Sequence, residues 1–89
     1  MNSQMFDFED GNGPVPAHQH ANGGGWVADS AYVVDSVYVG PNARVYDNAC
    51  VYGYACVYDN AWVYGYAWVS GNARVYGYAR VYGYACVYE

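Results

Sequence analysis

From residue 27 onward the chain repeats one pattern of apolar and polar positions, six residues long. Valine stands at every sixth place, eleven times: Val27, Val33, Val39, Val45, Val51, Val57, Val63, Val69, Val75, Val81 and Val87. Two residues ahead of nine of them is an alanine, from Ala31 to Ala85, with Gly25 and Val37 in the other two places. Alternation with period two predicts short strands that point Ala and Val to one side and the residue after each to the other. The last two residues of each unit are corner pairs such as Asp29-Ser30, Pro41-Asn42, Asp47-Asn48, Gly53-Tyr54 and Gly71-Asn72. Glycine reaches positive φ freely, aspartate tolerates it and bonds locally, and proline presets φ near −65°. The chain is therefore expected to bend once per unit. A unit that buries two small side chains cannot fold alone and must stack on its copies, which is the condition of a solenoid.

Units such as Val69-Ser70-Gly71-Asn72-Ala73-Arg74 resemble the hexapeptide repeat of left-handed parallel β-helices, and the resemblance covers residues 25 to 89. NARVYG-like tandem units of this kind are also similar to proteins of bacterial and phage genomes. The resemblance implies an all-β, left-handed parallel β-helix with three hexads per 18-residue coil and nearly four coils. It departs from the family after the aliphatic residue, where a small side chain is usual and tyrosine stands here seven times.

With equivalent positions 18 apart, the inward column is Val45, Val63 and Val81 on one face, Val51 and Val69 on the next, Val57 and Val75 on the third. These are the expected core. The outward columns read Trp26, Arg44, Trp62, Arg80, then Tyr32, Cys50, Trp68, Cys86, then Tyr38, Cys56, Arg74. After the valines run Tyr46, Tyr64, Tyr82 on one face, Tyr58 over Tyr76 on another, and Tyr52, Ser70, Tyr88 on the last; the corners add Tyr66 over Tyr84. Guanidinium against indole at successive levels predicts cation–π contacts of about 0.5–1 kcal/mol each when exposed. Stacked rings along a parallel sheet stabilise it as cross-strand pairs do.

Residues 1 to 24 carry no hexad and read as turns and extended chain, a cap or a flexible segment ahead of the helix at 25–89. A cap would cover the open first coil, with Met5, Phe6, Phe8, Val15 and Pro16 expected over its apolar end. At the other terminus the last coil is expected to present an open edge, with Glu89 stacking after Gly71 and placing a negative charge there.

Composition narrows the function classes. Leucine, isoleucine, threonine and lysine are absent, as suits a narrow column of valine and alanine and not a conventional core. Net charge is −5, with Arg44, Arg74 and Arg80 the only bases, so nucleic-acid phosphates are repelled. No apolar run has the length of a membrane helix, and no secretory signal opens the chain. The expected location is the cytoplasm or a phage particle. Three cysteines, Cys50, Cys56 and Cys86, leave one unpaired in any disulfide scheme, and the column spacing keeps Cys50 and Cys86 too far apart to bond.

Catalytic chemistry finds little support. Hexapeptide-repeat acyltransferases use a coil histidine, yet none follows His20, and a three-histidine zinc site as in the carbonic anhydrases of this fold needs one more than His18 and His20 supply. Gly23-Gly24-Gly25 lacks the lysine and helix of a phosphate loop, and an ice-binding threonine rank is missing. No cofactor or metal is expected. What stands out is sixteen tyrosines and tryptophans, nearly all expected outward, and exposed aromatic patches mark contact surfaces. The candidate contact surface is Trp26, Arg44, Trp62, Arg80, Tyr46, Tyr64, Tyr82, Trp68, Tyr58 and Tyr76. The expectation is a non-enzymatic structural module that forms homo-oligomers; the alternative is a glycan- or protein-binding module that uses the same ranks.

Overall fold

A computed structural model describes residues 4–88, so the expected stacking of Glu89 on Gly71 lies outside it. Two longer strands come first, β1 (Gln4–Asp7) and β2 (Pro14–Gln19), followed by β3 (Trp26–Ala28). Ten two-residue strands complete the chain: β4 (Tyr32–Val33), β5 (Tyr38–Val39), β6 (Arg44–Val45), β7 (Cys50–Val51), β8 (Cys56–Val57), β9 (Trp62–Val63), β10 (Trp68–Val69), β11 (Arg74–Val75), β12 (Arg80–Val81) and β13 (Cys86–Val87). Each is the outward residue and the valine of one hexad, the stretch in which alternation is uninterrupted by a corner.

Strands three apart in sequence pair in parallel, which makes an all-β solenoid. Its first face orders β3-β6-β9-β12, its second β4-β7-β10-β13 and its third β5-β8-β11. The register places residue i beside i+18 throughout, as in Val27 beside Val45, Val45 beside Val63 and Val63 beside Val81. Backbone ladders continue past the strands: the amide of Tyr46 donates to the Val63 carbonyl at 2.9 Å and that of Tyr64 to Val81 at 2.9 Å. The register follows from the valines, since a slip of one residue would turn every later valine outward.

Inside, Val45, Val51, Val57, Val63 and Val69 are fully buried with the alanines between them, Val75 is nearly so, and Val81 and Val87 pack against the column half-buried. Val37, which replaces an alanine, is also fully buried, so this place in the first coil holds a larger side chain.

Apart from Pro41-Asn42, the corners divide into two kinds. At Asp47, Gly53, Asp59, Gly65, Gly71, Gly77 and Gly83 the first corner residue has φ between 59 and 72°, the left-handed region that glycine enters at no steric cost and aspartate tolerates. At the first four of these the second corner residue donates its amide to the coil above, as from Asn48 to Gly65 and from Tyr54 to Gly71, both at 2.9 Å. At Gly53 the next coil leaves no room for a side chain: a Cβ there would lie 2.9 Å from the Gly71 carbonyl oxygen. At Asp47 and Asp59 the carboxylate turns to use, accepting from the amides of Gly65 and Gly77 at 3.2 Å. Asp29 and Asp35 do not take positive φ. In their corners a serine hydroxyl substitutes for the amide, Ser30 donating to the Asp47 carbonyl at 2.5 Å and Ser36 to that of Gly53.

The first two strands form a hairpin, and β2 runs antiparallel against β3, so the first face is extended to β1-β2-β3-β6-β9-β12. Its placement corrects the expectation for the apolar end. Met5 is exposed, Pro16 is exposed, and Phe6, Phe8 and Val15 pack against the outside of the first face instead. The reason is the direction of β2: continuing the sheet as a further strand, it carries its partner over the outer aromatic side chains. Part of the coil end is covered by the link between β2 and β3. There Val39 donates to the Asn22 carbonyl and Gly25 donates to that of Val39, each at 2.9 Å, while buried His20 bonds the Val37 carbonyl through Nε2 at 2.8 Å. A side chain on Gly25 would collide with Val39 and Gly40, so the approach of this link demands glycine.

Candidate functional site

Outward side chains on each face lie one coil apart, close enough for ring-to-ring contact. On the first face Arg80 holds its guanidinium carbon 4.0 Å from the centre of the Trp62 ring, and Arg44 lies 5.1 Å from the same ring. The expected contact of Arg44 with Trp26 is replaced. Phe6 stacks on Trp26 with centroids 4.6 Å apart, and Arg44 covers Phe6 at 5.1 Å. Phe6 comes from the hairpin, which hexad spacing leaves out of account.

Beside this column runs a second one. Tyr46 and Tyr64 stack at 5.0 Å, nearly parallel, and Tyr64 and Tyr82 at 5.5 Å. Phe8 continues it below, 4.8 Å from Tyr46. Tyr46 is thereby only 3 % exposed, so its assignment to an open contact surface is corrected: it belongs to a small outer core with Phe8, Ala17 and Ala28. Burial pushes its phenol up to about 12, helped by Tyr64, Asp10 and Asp47, with Arg44 acting in the opposite sense.

The second face has a different texture. Tyr52 does not stack in the column of Ser70 and Tyr88. It leans between Tyr32 and Trp68, 5.4 and 5.2 Å away and tilted by more than 50° to each, because Ser70 gives it no ring to meet. Its phenol is raised above the ordinary range, first by a hydrogen bond with the Cys50 side chain. The outward residues Tyr32, Cys50, Tyr52, Trp68, Ser70, Cys86 and Tyr88 include no charge at all. On the third face Tyr58 and Tyr76 stack at 5.4 Å, with Arg74 the one charge outside the valines. Tyr66 and Tyr84 stack at 5.3 Å along a corner.

Of the expected contact residues, Trp68, Tyr76 and Tyr82 are widely exposed, Trp26, Arg44, Trp62, Tyr58 and Tyr64 are half-buried, and Arg80 is exposed. The structure brings Trp26, Arg44, Trp62, Arg80, Tyr46, Tyr64 and Tyr82 together on one face and sets Trp68 and the Tyr58–Tyr76 pair on the other two. Phe6 and Phe8 were not among them; their signal is the alternation Phe6-Asp7-Phe8 in an otherwise polar stretch.

The remaining reactive groups stay apart. His18 pairs with Asp29 at 2.7 Å on the surface, whereas His20 is turned inward to Val37. Cys50, Cys56 and Cys86 are free thiols, each 3.8 Å from the carbonyl two residues before it.

The repeats carry a likeness to known sequences. Residues 43–57, 55–71 and 67–83 match the family model described as the YdcK beta solenoid repeat, over the coils that bear the tyrosine columns. No curated protein and no solved structure matches the chain. Family match and structure agree on a repeat β-solenoid.

Proposed function

We propose that this chain, a hexapeptide-repeat solenoid of the NARVYG-like kind, is a non-enzymatic structural element that associates with copies of itself through its second face. One observation carries the reading: across four strands, about 14 Å from first to last at the usual strand spacing, the outward positions of that face are aromatic, thiol, hydroxyl or, at Val34, aliphatic, and never charged. Water in contact with Tyr32, Tyr52 and Trp68 is released when two such faces meet. Tyrosine and tryptophan are also the residues that dominate interface energetics. The other two faces are less suited. The first is partly covered by the hairpin and bears Arg44 and Arg80; the third bears Arg74.

A face of this height falls at the small end of specific interfaces, so association is weak and rises with concentration, as fits a module that assembles in an array of many contacts. Among the described residues His18 meets only Asp29 and His20 only the Val37 carbonyl, which supports a reading without catalysis. The setting is the cytoplasm or a phage particle.

Sedimentation velocity over a concentration series tests it. The wild-type chain is expected to move from monomer toward dimer, and Trp68→Asp, which places a charge at the centre of the face, to stay monomeric while keeping its β dichroism. Arg74→Asp, on the third face, should associate as the wild type does. An association unchanged by Trp68→Asp would overturn the assignment of the second face.

A further inference from the structure

The first face holds a second feature, independent of self-association. At its corner edge a cleft of about 460 Å³ opens among Trp26, Asn42, Arg44, Asn60, Tyr78 and Arg80. Two of the three arginines of a chain with net charge −5 line it. We propose that this cleft binds a carboxylate-bearing oligosaccharide, with Arg80 as the principal anion donor.

Arg80 is already in place for that role. Its guanidinium lies on Trp62, and Nη1 donates to the carbonyls of Asn60, Tyr78 and Ala79 at 3.1, 2.9 and 3.2 Å. One nitrogen is thus spent on holding the group still, and the other N–H donors of the planar fork remain for a carboxylate. The ion pairs among the described residues are His18 with Asp29 and Arg44 with Glu9, so no acid neutralises Arg80 there. Arg44 is held only loosely from outside the cleft, by the largely exposed carboxylate of Glu9 at 3.5 Å. The chain as a whole repels anions, but beyond about 8–10 Å that field is screened by physiological salt, and the two guanidinia govern the cleft itself.

A bare anion would leave most of the space empty, since the volume lies within the range of small-molecule sites. Asn42 and Asn60 stand one coil apart and offer both amide donors and acceptors, the complement of sugar hydroxyls, while Trp26 and Tyr78 supply ring surface. Arg44 and Arg80 sit on strands two steps apart, roughly 9.5 Å by strand spacing. Both guanidinia lie against the Trp62 ring, 5.1 and 4.0 Å from its centre, and a saccharide chain acidic on successive residues can meet each with its own carboxylate.

The test is titration of the full chain with a galacturonate trimer, read by tryptophan fluorescence at a protein concentration where the chain is monomeric. Saturable binding is expected, weakened on raising salt and absent with neutral maltotriose. Arg80→Gln and Arg44→Gln should each weaken it about tenfold or more, as loss of a charge-assisted pair does, with dichroism confirming that the fold is kept. Equal binding of maltotriose, equal binding of acetate at the same concentration, or indifference to both arginine variants would each overturn the proposal. Self-association of the arginine variants should be as in the wild type, so the two readings fail or survive separately.

Discussion

The first and second faces are built on the same inward code and differ only outside. Behind each stands a column of valines, Val27, Val45, Val63, Val81 and Val33, Val51, Val69, Val87, in one register. In front, the first face presents two ordered columns, aromatic on guanidinium and ring on ring, closed below by Phe6 and Phe8. The second presents tilted rings and thiols, with nothing among the described residues laid over them. The contrast shows that in a solenoid the fold and the surface are written by separate positions: six residues per corner-to-corner step leave two outward places free, and changing them does not disturb the core. Function, where it resides on such a surface, is carried by which face receives charges and a cover.

The largest effect expected on this picture is at the shared interior. Val63→Asp buries an unpaired carboxylate in a column where Val63 is fully enclosed, and should cost at least about 4 kcal/mol, enough to unfold the chain. Tyr64→Asp, one residue later and half-buried on the outer side, should leave a cooperative thermal transition at reduced temperature. Equal loss of β dichroism in both would break the separation of inner from outer positions.

Next come the two surfaces themselves. Phe8 is 1 % exposed and stacks on Tyr46, so Phe8→Ala should destabilise by about 3–5 kcal/mol in denaturant unfolding. Trp68 is 48 % exposed, and Trp68→Ala should cost under about 1 kcal/mol. If the two cost the same, the hairpin is not part of the folded unit in the way its contacts indicate.

The smallest effect is in pH. Tyr46 holds its proton to about 12, against an ordinary value of 10.0. Below about 10 the proton is bound in both folded and unfolded chains, and the stabilisation from that shift is complete. Between 10 and 12 the unfolded chain releases it first, so stability falls as pH rises. Phenolate absorbance should show a late component from Tyr46, with Tyr52 also raised above the ordinary range. In Phe8→Ala, where Tyr46 meets water, that late component should move back toward 10.

Much of the architecture is legible in the residues. Period six with Ala and Val in fixed places names the strands, and eleven valines without a slip fix both the 18-residue pairing and the inward column, because one displaced residue would expose all that follow. The stacked pairs Tyr46–Tyr64, Tyr64–Tyr82, Tyr58–Tyr76 and Tyr66–Tyr84 follow from the same arithmetic. The corners are partly legible. Glycine and aspartate announce left-handed backbone, yet Asp29 and Asp35 do not adopt it, and the serine beside each, donating to the next coil, gives the reason only once the coils are in place.

Periodicity is a local property repeated, so the sequence by itself determined the strands, their register and the identity of each column. The tertiary structure alone decided what happens once. The hairpin has no copy to define its register, and whether Phe8 lies over the apolar end or on Tyr46 depends on β2 pairing antiparallel with β3. The same long-range pairing decides that Tyr46 is buried, that Arg44 leaves Trp26 for Phe6, and that a cleft remains between Arg44 and Arg80. The contacts of Phe6 with Arg44 and of Phe8 with Tyr46 join residues that no repeat relates, and only the closing of the fold brings them within reach.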